Sequence, residues 1–136
     1  MTQRMAVRDA VLSKLQTLSD YTFPPPGTTE EIDSKKLPAI VVGFATENIE
    51  HEMYGGTSRQ LDLTIAALVK SDGDIYAALD QAAADIESAL QDDATLGNTC
   101  DLFLLSQTQF ALDQDHPLGE VRLTYRAQYS TDPSAL

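Results

Sequence analysis

The stretch RQLDLTIAALV, residues 59–69, decides the fold of this 136-residue chain. Apolar side chains occupy its odd-numbered positions from Leu61 to Val69, whereas most of its even-numbered positions are polar or small. A two-residue period is typical of a β-strand that buries one face and leaves the other to polar neighbours. The stretch therefore predicts a half-buried antiparallel strand, and the segments on either side should supply its partners.

The segment that follows predicts a helix packed against this strand. Ser71-Asp72-Gly73-Asp74 is typical of a turn with an N-cap, and its acids suit a helix N-terminus. We expect the helix to run from Asp74 to about Asp92. Its apolar stripe is Ile75, Leu79, Ala82, Ala83, Ile86 and Leu90. The small alanine side chains predict a close approach of this helix to the sheet.

The segments before the decisive stretch predict a second helix and a second strand. An amphipathic helix is expected from residue 2 to about residue 18, with Thr2 as its N-cap. The β-branched run Leu37–Phe44 predicts a buried strand. Two long mobile loops are expected over residues 20–38 and 46–58, and part of the second can extend the flanking strands as a hairpin arm.

Two further strands are predicted after the second helix, over 101–109 and 119–129, followed by a tail at 131–136 that should fray. The order is then α-β-β-α-β-β. It predicts an α+β fold, a two-layer sandwich in which two helices cover one face of a four-stranded, mainly antiparallel sheet. At this length we expect a single domain over residues 1–136.

The charge is strongly acidic and unevenly placed. Asp and Glu number 21 against 9 Lys and Arg, a formal charge of -12, which argues against a general surface that binds DNA or anionic membrane. No Lys or Arg lies between Lys70 and Arg122. The asymmetry is either a solvated acidic face or, in a head-to-tail ring, complementarity between copies. Neither a signal peptide nor a membrane span is predicted, because no apolar run is long enough.

Residues with catalytic or metal-binding chemistry form no convincing set. Cys100 has an acidic neighbour in Asp101 and lacks a nucleophile signature, so we expect a buried structural thiol. His51 and His116 have no close ligand spacing, so no metal site, catalytic residue or cofactor is predicted. Asp92 and Asp93 follow a helix, where acid is unfavourable; they are either solvated or compensated by a partner.

Taken in order, the elements resemble a known family. The shared features, over residues 4–131, are the motif Arg8-x-x-Val11-x-x-x-Leu15-x-x-Leu18, the strand starts Leu37–Val42 and Arg59–Ile65, the helix end Ile86–Leu90 with Thr95-Leu96-Gly97, and Gly119-Glu120-Val121-x-Leu123-x-Tyr125-x-x-x-Tyr129. This set resembles the tail terminator, or tail completion, proteins of bacteriophages and prophages, of the minor tail protein U type.

The resemblance implies a structural virion protein, assembled in the host cytoplasm, and no enzyme. Such a protein forms a homo-oligomeric, hexameric ring that caps the tail tube protein, ends polymerisation and offers a surface to the head or neck connector, while DNA only passes through the lumen. Subunit-interface candidates are Arg4, Arg8, Arg59, Arg122, Arg126, Asp92 and Asp93. Glu47, Glu50 and Glu52 are candidates for loops that face the lumen or tube, where acid repels DNA.

Two other functions stay open on the sequence. A head-tail connector or neck protein has a similar size and also forms rings. An acidic DNA-mimic inhibitor would also be small and strongly negative. The long alternating strands and the uneven charge suit an assembly subunit better than an inhibitor.

Overall fold

The predicted order of elements is confirmed in the computed structural model, which describes residues 2–24, 37–53, 55–91, 93–113 and 118–131. The elements of these residues are α1 (Gln3–Leu15), β1 (Ala39–His51), β2 (Thr57–Lys70), α2 (Ile75–Leu90), β3 (Leu102–Asp113) and β4 (Leu118–Thr131). Both helices pack on one face of a four-stranded sheet and touch each other. The α+β sandwich is confirmed.

The sheet runs in the order β1-β2-β4-β3, and its three ladders are all antiparallel. The decisive stretch lies in β2, so it occupies the middle of the sheet next to β4. Ile65 of β2 aligns with Val42 of β1 on one side and with Leu123 of β4 on the other. The edges of the sheet are therefore β1 and β3.

Each edge strand contains a β-bulge that shifts its side-chain pattern. The β1 register shifts between Phe44 and Thr46, and the β3 register shifts between Leu105 and Gln107. One extra residue exchanges the two faces of the strand beyond it. As a result Glu47, and not Thr46, points to the side of the sheet that carries the helices.

The core lies between the sheet and the helices. The odd-numbered side chains of β2 and β4 face the helices, and Leu63, Ile65 and Leu123 have no solvent exposure. The predicted α2 stripe is buried from Leu79 to Leu90 and partly buried at Ile75. Close packing of α2 is confirmed, because a Cβ added at Gly119 of β4 would lie 3.0 Å from Leu79.

Both helix N-caps follow the prediction. The Thr2 hydroxyl accepts a hydrogen bond from the Met5 backbone N–H, and the Asp74 carboxylate accepts one from Ala77. The helices end earlier than predicted, at Leu15 and Leu90. The four strands are longer than predicted, because cross-strand pairing continues beyond the residues expected for each strand.

The hairpin arm that was expected within the 46–58 loop is present in the structure. Residues 46–51 pair with residues 57–62 as a hairpin arm, so the 46–58 loop shortens to the connection 52–56. The parts of the 20–38 loop at 25–36 and of the tail at 132–136 lie outside the described residues, as do 114–117. At residue 21, Tyr21 donates a hydrogen bond of 2.8 Å to Asp85 of α2. In the described part of the chain, neither helix is long and apolar enough to cross a membrane.

Candidate assembly surface

The outer strand β3 exposes a long stretch without charge. Residues Leu104–Leu112 are nine consecutive exposed positions, and none of them is Asp, Glu, Lys or Arg. Phe110 is 50% exposed and Leu104 52%, while Leu105 and Leu112 are also among the large apolar residues exposed to solvent. Edge strands usually carry charge, proline or a cover that prevents pairing with another chain. We call this stretch the β3 edge.

The other outer strand, β1, is covered at its start and exposed toward its end. Thr22 hydrogen-bonds with Pro38 and Ile40 and so covers the first residues of the strand. From Phe44 to His51 every residue except Glu47 is exposed. Phe44 and Ile49 point to the helix-facing side and are each nearly half exposed. We call residues Phe44–His51 the β1 edge.

A polar network closes the helix-facing side at this end of the sheet. Glu47 accepts hydrogen bonds from Arg59 at 2.7 Å and from Arg4 of α1 at 3.0 Å, and its second oxygen accepts one from the Tyr129 hydroxyl. The side chains of Glu47 and Arg59 are each only 11% exposed. The Arg59 Nε also donates to the Thr131 hydroxyl at 3.1 Å.

This network sets the protonation of its members. Burial opposes ionisation of Glu47, but the hydrogen bonds from Tyr129, Arg59 and Arg4 outweigh it and lower the pKa of the carboxyl. Burial, together with the hydrogen bond to Glu47, raises the pKa of Tyr129 to about 12. Glu47 is therefore an ionised carboxylate. It pairs with Arg4 of α1 and Arg59 of β2 and so links α1 to the sheet.

Two of the predicted interface arginines lie on the face of the sheet away from the helices, which we call the open face. Arg126 donates to Asp62 across the β4–β2 ladder at 3.1 Å, and Arg122 donates to Glu120 on its own strand at 2.9 Å. The side chains of Arg122 and Arg126 are still 50% and 39% exposed. Both remain accessible to a neighbouring molecule while paired within the chain.

Two more predicted interface residues, Arg8 and Asp93, lie in α1 and in the turn after α2. Arg8 pairs with its neighbour Asp9 at 3.1 Å. Asp93 accepts hydrogen bonds from the backbone N–H groups of Gly97 and Thr95, which lower the pKa of its carboxyl, and its oxygen lies 3.8 Å from the Lys14 ammonium. Asp93 thus organises the turn after α2. Asp92 lies outside the described residues.

The predicted lumen-facing or tube-facing acids separate into two groups. Glu47 belongs to the network above. Glu50 follows on the open face at the end of β1 and is exposed, and exposed Glu52 lies in the connection to β2, where its N–H donates to Gly56 at 2.8 Å. These two carboxylates lie outside the core, at the same end of the β1–β2 hairpin.

The side chains with catalytic potential are dispersed. Cys100 is buried, its thiol lies 3.6 Å from the Thr95 carbonyl oxygen, and burial raises its pKa, as expected for a structural thiol. His51 is exposed at the end of β1, and His116 lies outside the described residues. Within the described ranges, His, Cys, Asp and Glu form no group of three or more that could hold a metal ion.

The β3 edge was not predicted from the sequence, although its signal is present there. Residues 102–112 form an uncharged run of eleven in a strongly charged chain, bounded by Asp101 and Asp113. The polar open face was expected, but the uncharged edge was not, since strand order is needed to know that β3 has only one neighbour.

Comparisons with known proteins give one family. The family model described as phage minor tail protein U matches residues 2–129. A solved structure described as the virion of a native gene transfer agent particle has a similar chain, 15% identical, with a TM-score of 0.48; the match covers 90% of this chain and 93% of that one. No curated protein matches the chain.

Proposed function

The chain belongs to the family of phage minor tail protein U, and from that premise we propose that it caps the phage tail tube as a ring. The family makes it a structural component of the phage tail, and of the virion. The proposal adds a specific role: copies of the chain form a homo-oligomeric, hexameric ring that ends tube polymerisation and presents a surface to the head or neck connector.

The observation that carries the proposal is the family match, which spans nearly the whole chain. The surface of the subunit supports it. The two outer strands of the sheet, β1 and β3, each expose apolar side chains along an open edge. They can serve a closed ring, because each of its subunits needs two different surfaces that fit one another.

The acidic surplus fits a ring through which DNA passes. A net charge of -12 gives a field that repels the phosphate backbone and keeps DNA from adhering. We assign the lumen-facing or tube-facing role to exposed Glu52, whose carboxylate lies outside the network of Glu47. Arg122 and Arg126 are the accessible bases for contacts between copies.

The test is the length of tail tubes grown from purified tail tube protein in the presence of increasing amounts of this chain. We expect tubes to stop growing once the chain is added and to carry density at one end in electron micrographs. An unrelated acidic protein of similar size is the control for charge alone. Tubes that keep growing at a saturating excess of the chain would contradict the capping role.

A further inference from the structure

The two sheet edges suggest how copies of this chain fit together. Building on the proposed ring, we infer that the β3 edge of one copy pairs antiparallel with the β1 edge of the next copy, so that the sheet continues from subunit to subunit. The occupant of the exposed β3 edge is thus a second copy of this chain.

The charge distribution favours this pairing of edges. Two molecules of net charge -12 repel one another, and the repulsion is smallest where the facing surfaces carry few acids outside internal ion pairs. The β3 edge has no charged residue over Leu104–Leu112. The β1 edge has Glu47, which is already paired with arginines of its own chain, and Glu50.

The strand directions also allow this pairing. Along the order β1-β2-β4-β3, every neighbour is antiparallel, so β3 runs opposite to β1. A rotation about a ring axis that runs broadly along the strands leaves strand direction unchanged. The β1 strand of the next copy would therefore meet β3 antiparallel, and the alternation would continue around the ring.

The two edges are offset from one another along the strand direction. The β3 edge is centred on Thr108, which aligns through Leu123 and Ile65 with Val42 of β1. The β1 edge is centred between Glu47 and Asn48, which is about 15 Å farther along at the rise of a strand. Across a sheet about 19 Å wide, this offset inclines the strands by about 40° to the ring axis, the tilt found in closed barrels.

The side chains match in this register. Apolar Phe110 and Leu112 of β3 would lie near Phe44 of the next copy, and Leu105 would lie near its Ile49, all on the helix-facing side. On the open face, Arg126 lies opposite Leu104 and would approach Glu50 of the next copy. In this pairing, the exposed apolar side chains of β3 and the accessible guanidinium of Arg126 would each contact a residue of the next copy.

Cysteine cross-linking tests the inference. The double variant Asn48→Cys/Gln107→Cys places one thiol on each edge, on the open face and without touching the apolar side chains. With a short bis-maleimide, free or on tail tubes, we expect a ladder of covalent oligomers. The wild-type chain, with its buried Cys100, and the pair Asn48→Cys/Tyr76→Cys, with a thiol on exposed α2, are the controls.

Each other outcome contradicts a specific part of the inference. Covalent dimers from Gln107→Cys alone would indicate two-fold pairing of β3 with β3. Cross-links from Gln107→Cys to the tail tube protein would make that protein the occupant. Asn48→Cys can be combined with either Gln107→Cys or Gln109→Cys. If both double variants form rings but neither gives cross-links between copies, the edge pairing is overturned and the proposed ring is not. A chain that stays monomeric by mass, with and without tubes, would overturn both.

A charge placed on the β3 edge gives a second readout. In Phe110→Lys, the new ammonium lies on a strand that pairing would bury. We expect the concentration needed for ring formation to rise at least about tenfold, the effect of losing one good contact. Tyr76→Lys is the matched control, because Tyr76 is an exposed aromatic residue on α2. Equal ring formation by the two folded variants would overturn the inference.

Discussion

At the scale of single residues, Glu47 shows why the sequence position of a charge is a poor guide to its role. It lies in an acidic segment with Glu50 and Glu52, and all three suggest a solvated loop. The bulge after Phe44 turns Glu47 alone to the helix-facing side, where Arg59, Arg4 and Tyr129 surround it. Removing one partner from such a pair leaves buried charge uncompensated.

We therefore predict that Glu47→Gln lowers the free energy of unfolding by about 2 kcal/mol at pH 7, because Arg59 loses its buried counter-ion. Urea unfolding followed by circular dichroism measures the change. Glu50→Gln is the matched control, since Glu50 is exposed on the same strand, and it should leave stability unchanged. An equal loss in both variants would mean that the network contributes nothing specific.

The difference in stability between the wild type and Glu47→Gln should depend on pH. The pKa of Glu47 is lower in the folded chain than its ordinary value of 4.5, so folding favours the ionised carboxylate. The contribution of Glu47 to the free energy of unfolding is complete at pH values above its ordinary pKa. It is lost as the pH falls through the lower pKa of the folded chain. The stability difference between wild type and Glu47→Gln should be constant near neutrality and shrink in acid. A difference that grows on acidification would contradict the sign.

At the scale of elements, the fit between α2 and β4 depends on the absence of a side chain at Gly119. A Cβ there would lie 3.0 Å from Leu79 and 3.1 Å from Ile75, closer than ordinary contact. The alanines of α2 bring the helix near the sheet, and Gly119 completes the fit. Glycine at position 119 therefore allows α2 to pack closely against β4.

Gly119→Ala should destabilise the fold by about 1–2 kcal/mol, the cost of overpacking a tight core site. Gly43→Ala is the matched control in a strand of the same sheet, because its Cβ would meet only the Thr64 hydroxyl at 3.6 Å. Thermal unfolding of the two variants compares them directly. If Gly43→Ala proved the more damaging change, the close packing of α2 on β4 would be wrong.

The elements also show how far the sequence leads. Periodicity was enough for the strand 59–69, the α2 stripe and both N-caps, because these depend on local spacing. It could not give the order β1-β2-β4-β3, which depends on contacts between distant segments. Nor could it give the bulges at Ala45 and Ser106, since one inserted residue resembles ordinary irregularity in the alternation.

The candidate surface was predictable only in part for the same reason. Arg122 and Arg126 were expected to meet acids of an adjacent copy, which stays a prediction; within their own chain they pair with Glu120 and Asp62. The uncharged run in β3 is visible in the sequence, but its importance depends on β3 being an edge. A polar face can be recognised from alternation, whereas an exposed edge requires the sheet.

At the scale of the whole molecule, the acidic charge and the uncharged edges act in opposite directions. Every pair of copies repels at long range because each carries a formal charge of -12. The edges attract at short range through apolar contact and strand pairing. Assembly then depends on screening as well as on concentration.

We predict that ring formation strengthens as salt rises. The screening length falls from about 30 Å at 0.01 M to about 8 Å at 0.15 M ionic strength, which removes repulsion while leaving apolar contacts intact. Light scattering against ionic strength measures the average mass. Rings that dissociate on adding salt would instead show that ion pairs between copies, such as those of Arg122 and Arg126, dominate the contact.

The location and copy number of this chain in intact phage tails test the central claim most directly. Electron microscopy of tails carrying a labelled chain should place a single ring of about six copies at the head-proximal end of the tube, as a closed head-to-tail ring requires. Label along the length of the tube, at the distal tip, or absent from the particle would contradict the account.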